Sequence, residues 1–138
     1  MSDDAELGEL LRSIRSIAVV GIKSGDADEA FRVPRYLQEH GYRIVPVSPK
    51  LETVLGEQAY AALAELPRGV DLVNLFRAPA HLPGHVDEIL ALPRRPRAVW
   101  MQLGIAHPES AARLRDAGMA VVEDRCIMVE HVRLVASA

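Results

Sequence analysis

Apolar residues fall along the chain in two spacings, one helical and one of unbroken strand-length runs. Leu7, Leu10, Leu11 and Ile14 recur at helical spacing behind acidic residues, which predicts a leading helix over about residues 4–14. Ile17-Ala18-Val19-Val20-Gly21 is an apolar run of the kind a parallel strand shows when both its faces are covered. A helix is then expected from Val33, with Pro34 in its first turn where a missing N–H is harmless, ending at Gly41. The alternation continues with a strand over 43–47, a helix over 58–65, a strand over 70–76 and a helix over 80–92 disturbed by Pro83-Gly84. A strand at 98–101, a helix over 107–117 closed by Gly118, a strand at 120–122 and a helical or irregular tail from about 125 complete the chain.

Strands alternating with helices require parallel pairing and right-handed crossovers. The expected fold is α/β, a single Rossmann-type doubly wound five-stranded parallel sheet with helices on both faces. One domain fills residues 1–138, with its core over about 15–124 and a closing tail over about 125–138. The expected strand order is 3-2-1-4-5, which puts the binding crevice beyond the carboxyl ends of the strands, between strands 1 and 4.

Composition narrows the function classes. The 138 residues, 49% hydrophobic and 25% charged, suit one globular domain. The acidic start and the lack of any long apolar run suggest neither an export signal nor a membrane span. Cys126, the lone cysteine, excludes an internal disulfide and fits a cytoplasmic protein. A net charge of −3 disfavours nucleic acid but leaves room for a local cationic pocket.

Candidate chemistry is sought at the strand ends. Gly21-Ile22-Lys23-Ser24-Gly25 offers a sharp turn, backbone N–H groups and a hydroxyl to phosphate oxygens, although ordinary turn chemistry explains its glycines equally well. It is not the full glycine fingerprint of dinucleotide enzymes. The second strand leads into Ser48-Pro49-Lys50 without the acidic residue that holds an NAD ribose. Lys50 instead places a cation where a ribose phosphate would lie. Phe76 and Arg77 follow the third strand, and Trp100-Met101-Gln102-Leu103-Gly104 ends the fourth.

Taken in order, the stretches 17–21, 33–37, 41–49, 99–105 and Glu123-Asp124-Arg125-Cys126 resemble the small stand-alone CoA-binding domain proteins of bacteria and archaea. The resemblance spans roughly residues 7–134. That family is similar to the CoA-binding domain of the succinyl-CoA synthetase α subunit and of ADP-forming acyl-CoA synthetases, without their catalytic domains. The resemblance implies coenzyme A as the ligand. It assigns Gly21, Ile22, Lys23 and Ser24 to the pyrophosphate, and Ser48, Pro49 and Lys50 to the adenosine 3'-phosphate end. Val33, Pro34 and Val47 join the site with their motifs, while Phe76, Arg77, Met101 and Gln102 line the remainder. The chain departs from the family in having Ile22-Lys23 where Ala is usual and Ser48 in place of Asn.

No catalytic constellation stands out. His81 and His85 share an i,i+4 spacing, but Pro83-Gly84 lies between them, and no metal site is expected. The synthetases phosphorylate a histidine from another domain, for which this chain has no equivalent. Arg125 beside Cys126 suits a reactive thiolate, against the commoner quiet packed cysteine. Arg94-Arg95-Pro96-Arg97 lacks the interleaved aromatics of a nucleic-acid site. The expectation is therefore a non-catalytic binder of CoA or an acyl-CoA, a sensor or carrier. The alternatives are an enzyme acting on a CoA thioester or using NAD(P), and a protein-docking module.

Overall fold

A computed structural model describes residues 3–137. Five parallel strands form the main sheet: β1 (Ser16–Val20), β2 (Arg43–Val47), β5 (Leu72–Leu75), β6 (Ala98–Met101) and β7 (Ala120–Val122). Two residue pairs, β3 (Thr53–Val54) and β4 (Glu57–Gln58), make a separate small hairpin. Helices α1 (Asp4–Ser13), α2 (Glu29–Glu39), α3 (Leu82–Leu90), α4 (Pro108–Asp116) and α5 (Ile127–His131) cover the sheet, and a π turn over Val132–Ala136 extends α5.

Alternation along each strand divides the core. Ile17, Val19, Leu72, Ala98 and Trp100 pack under α1, α2 and α5, whereas Ala18, Val20, Val73, Leu75, Val99 and Met101 pack under α3 and α4. Both faces of every central strand are thus dry, which explains the unbroken apolar runs. Trp100 is fully buried and its indole N–H donates to the Arg125 carbonyl at 2.7 Å, so the ring closes the core where α5 begins. Truncating a buried aromatic of this kind costs about 3–5 kcal/mol.

The strand order corrects the sequence expectation. The sheet runs β2-β1-β5-β6-β7, so the third strand of the sheet lies beside the first rather than outside the second. The cause is visible at β2. Pro46 has no N–H to donate, its carbonyl accepts from Tyr60 N–H at 3.0 Å, and Ser48 N–H donates to the Tyr60 carbonyl at 2.8 Å. A proline facing outward belongs on an edge strand, and the short segment at Tyr60 occupies that edge. The reversal of winding therefore falls between β1 and β5.

Two helix expectations are also corrected. Residues 58–65 form no helix: they hold the end of β4, the Tyr60 bridge to Val47 and a single 3₁₀ turn, Leu63–Glu65. Helix α2 begins at Glu29, capped by the Asp28 carboxylate accepting from Ala30 N–H, and so Pro34 sits inside it rather than at its start.

Candidate functional site

Strand register sets the floor of the crevice. Val47, Val20, Leu75 and Met101 lie in one row across β2, β1, β5 and β6. The next residue of each strand, Ser48, Gly21, Phe76 and Gln102, therefore emerges at the same level. The four strand ends singled out in the sequence meet here because the strands are parallel and in register.

Gly21 stands at the reversal point with φ +85, and a Cβ there would lie 2.3 Å from the Phe76 carbonyl oxygen. Both the left-handed backbone and the close approach of β5 demand glycine. Beyond it the loop turns inward: Gly21 N–H donates to the Val47 carbonyl at 3.0 Å and Lys23 N–H to the Ala30 carbonyl at 3.2 Å. Those two donors hold the loop and are not free for a phosphate. Ser24 is exposed, and among the described residues its hydroxyl makes no hydrogen bond.

Two hollows meet at Gly21 and Arg77. One, about 150 Å³, is lined by Val20, Val47, Pro49, Ala61, Ala62 and Leu63, with Arg77, His85 and Glu88 at its polar side. It is a narrow apolar slot with a polar wall. The other, about 250 Å³, runs from Lys23 and the start of α2 past Phe76 and Gln102 to Leu103 and Ile105. Leu103 is 65% exposed and gives this end an apolar rim.

Arg77 is held between the two hollows. Its Nε donates to His85 Nε2 at 3.3 Å, and His85 Nδ1 lies 2.7 Å from the Glu88 carboxylate. An imidazole that accepts at Nε2 carries its hydrogen on Nδ1, so Glu88 fixes the tautomer that lets His85 orient the guanidinium. Among the described residues the remaining guanidinium nitrogens make no hydrogen bond and can face an anion. Lys23 and Lys50 are exposed and, among the described residues, pair with no carboxylate. The Ser48 hydroxyl accepts from Lys50 N–H at 3.2 Å, which shapes the turn carrying that lysine.

Not every residue of the sequence expectation reaches the surface of the crevice. Gly21, Lys23, Val47, Pro49, Phe76, Arg77 and Gln102 line it. Ile22, Val33, Pro34 and Met101 are buried behind it. Gln102 has a second task, its Oε1 accepting from Ile127 N–H at 2.9 Å and from Asn74 Nδ2 at 3.2 Å. The stretch Glu123-Asp124-Arg125 braces the rim: Asp124 accepts from Gly104 N–H at 2.6 Å and Glu123 from His107 N–H at 3.1 Å. His85 and Glu88 were not foreseen as site residues. Their i,i+3 spacing on one helix was the available signal.

Comparisons with known proteins show the family and the fold. A family model described as CoA binding domain matches residues 15–132. The uncharacterized protein YneT of Bacillus subtilis is 35% identical over 127 residues, covering 92% of this chain and 93% of YneT. A solved structure from Thermus thermophilus, cell-free ID.343, has 46% identity and a TM-score of 0.91, covering 96% of this chain and 98% of its own. An acetyl-coenzyme A synthetase from Ca. Korarchaeum cryptofilum shares the fold alone, at 20% identity and a TM-score of 0.67, with 83% of this chain matching 27% of the enzyme.

Proposed function

The chain belongs to the CoA binding domain family, and on that premise we propose that it binds coenzyme A or an acyl-CoA across the carboxyl ends of β1, β2, β5 and β6 without turning it over. The observation that carries this reading is the trio Lys23, Lys50 and Arg77: Lys23 and Arg77 line one hollow together with Asp28 and Glu29, Lys50 lies exposed just past the end of β2, and among the described residues none of the three cations pairs with a carboxylate. A ligand with phosphates at two separated places suits such a trio. Arg77 and Lys23 flank the pyrophosphate position. Lys50, past the end of β2, takes the 3'-phosphate of the adenosine.

The two hollows suit the uncharged parts of the same ligand. The slot walled by Val47, Pro49 and Leu63 fits a flat base, with His85 and Glu88 at its polar edge. The trough toward Leu103 and Ile105 fits the pantetheine arm and leads a thiol or acyl group to the exposed rim. The absence of turnover is supported by how the nearby histidines are occupied. His85 is bound at both nitrogens and His107 caps α4 through Nδ1. General base work needs a free, oriented group; His85 has no nitrogen left over for a substrate proton, and His107 is fixed as a helix cap. The protein then acts as a sensor or carrier of CoA. Among the described residues no helix is long and apolar enough to cross a membrane.

The test is calorimetric comparison of CoA with dephospho-CoA on the wild type and on Lys50→Ala. Losing the 3'-phosphate should weaken binding by about tenfold or more in the wild type, the size of one charge-assisted contact, and should matter little in Lys50→Ala. Equal sensitivity in both proteins would remove Lys50 from the site.

A further inference from the structure

We propose that a second pocket, at the opposite end of the sheet from the crevice, binds a phosphate group, either inorganic phosphate or a small phosphate monoester. It has a volume of about 200 Å³ and lies where the chain enters β1 and β2. The five residues of β1 separate it from the crevice by about 16 Å at the usual rise per residue. Its polar wall is Arg12 on α1, Arg15 before β1, His40 at the end of α2, Tyr42 before β2 and His131 on α5. Among the described residues no carboxylate lines it.

Charge and donor geometry point to an oxyanion. Among the described residues the Arg15 guanidinium makes no hydrogen bond or ion pair, while Arg12 reaches only the Leu134 carbonyl, at 3.5 Å. The Asp71 carboxylate near this end is already engaged by the N–H groups of Arg15 and Ser16 and by Arg94. Glu130 on α5 is held by Arg133 and Arg125. His40 Nδ1 lies 2.7 Å from the Tyr36 carbonyl, which can only accept, so its hydrogen is on Nδ1 and Nε2 is left over. His131 Nδ1 is 2.8 Å from the Tyr36 hydroxyl, and its ring centre is 5.3 Å from that of His40.

Two guanidinium forks beside two imidazoles form a cage whose positive charge comes from Arg12 and Arg15, and among the described residues neither arginine pairs with a carboxylate. Such a cage matches a tetrahedral dianion, which accepts from several donors at once, better than a single carboxylate or a halide. Leu11, Ile14 and Val135 add an apolar side on which the carbon part of an ester would rest. The ends of α1, α2 and α5 all meet at this pocket, so its occupant would tie the C-terminal helix to the first strand. Ligation here is independent of CoA in the crevice.

The experiment is titration with inorganic phosphate and with phenyl phosphate at neutral pH and low salt, followed by calorimetry and by the imidazole NMR resonances of His40 and His131. Saturable binding with a Kd of about 1 mM or tighter is expected, with both histidine resonances shifting. Arg15→Ala, at an exposed position, should weaken it by about tenfold. The double variant Lys50→Ala, Arg77→Ala should leave it unchanged. Tighter binding of phenyl phosphate would identify an ester as the ligand, and equal binding would identify the free ion. The proposal is overturned if Arg15→Ala has no effect, if binding disappears with Lys50 and Arg77, or if neither compound saturates.

Discussion

Lys23 donates its backbone N–H to the carbonyl of Ala30 at 3.2 Å. In an unbroken α-helix that carbonyl would accept from residue 34, but residue 34 is proline and has no N–H to give. The acceptor freed inside α2 is taken by the loop that follows β1. Pro34, buried in the helix, thereby fixes the loop that carries Lys23 to the crevice.

Replacing Pro34 with alanine separates stability from binding. An N–H at position 34 would compete for the Ala30 carbonyl, and a helix-interior proline costs about 3 kcal/mol relative to alanine. Pro34→Ala is expected to unfold at higher denaturant concentration, with a gain in unfolding free energy of up to that amount. Its Lys23 amide should exchange faster with solvent, and CoA affinity should fall by about tenfold. Amide exchange and calorimetry on the same sample check both halves.

Gln102 is expected to act on stability before it acts on ligand. Its Oε1 receives two buried donors, the Ile127 N–H at the start of α5 and the Asn74 amide. Asn74 is fully buried with its own Oδ1 unpartnered, so this network has no slack. Gln102→Ala strands both donors and should cost about 2–4 kcal/mol in urea unfolding, whereas Gln102→Leu should do no better despite its similar volume.

Acidification should release the C-terminal helix. Burial first, and the neighbouring His40 second, hold the His131 pKa below its ordinary value of 6.5. The groups facing it are Tyr36 on α2 and His40 at its end, Tyr42 before β2, Arg12 on α1 and Arg15 after α1; Glu130 and Arg133 share its own helix and the π turn. A histidine with a lowered folded pKa favours the folded state above 6.5, and that contribution is lost as pH falls through the lowered value. The melting temperature should therefore drop on acidification below pH 6.5, and His131→Gln should flatten this part of the profile. Asp4, whose carboxylate Arg133 holds below its ordinary value of 3.8, gives a separate loss at still lower pH.

How far the sequence revealed this protein depended on whether a residue's meaning was local. The strands at 98–101 and 120–122 were legible because double-sided burial writes an unbroken apolar run. Helix 58–65 was not, since Ala61, Ala62 and Ala64 favour a helix on propensity while the pairing of Tyr60 with β2 overrides it. The strand order expected from the alternation alone is corrected by the pairing at Pro46, which marks β2 as an edge. Correcting it moves Phe76 and Arg77 from a flank of the crevice to its centre. Gly21, Phe76 and Gln102 come to one level because register aligns the strand ends they follow. His85 and Glu88 arrive from a helix, and their link to Arg77 is visible only in three dimensions. The sequence likewise gave no sign that Gly21 must admit the Phe76 carbonyl as well as turn the chain.

The most direct measurement is calorimetric titration of the purified protein with CoA, set beside NADP and NAD under the same conditions. Saturable one-to-one binding of CoA, with NADP and NAD weaker by about a hundredfold or more, is the expected result, since the pantetheine arm has the trough toward Leu103 and Ile105 to fill. Tighter binding of NADP or NAD, or no heat with CoA, would contradict CoA as the ligand of this crevice.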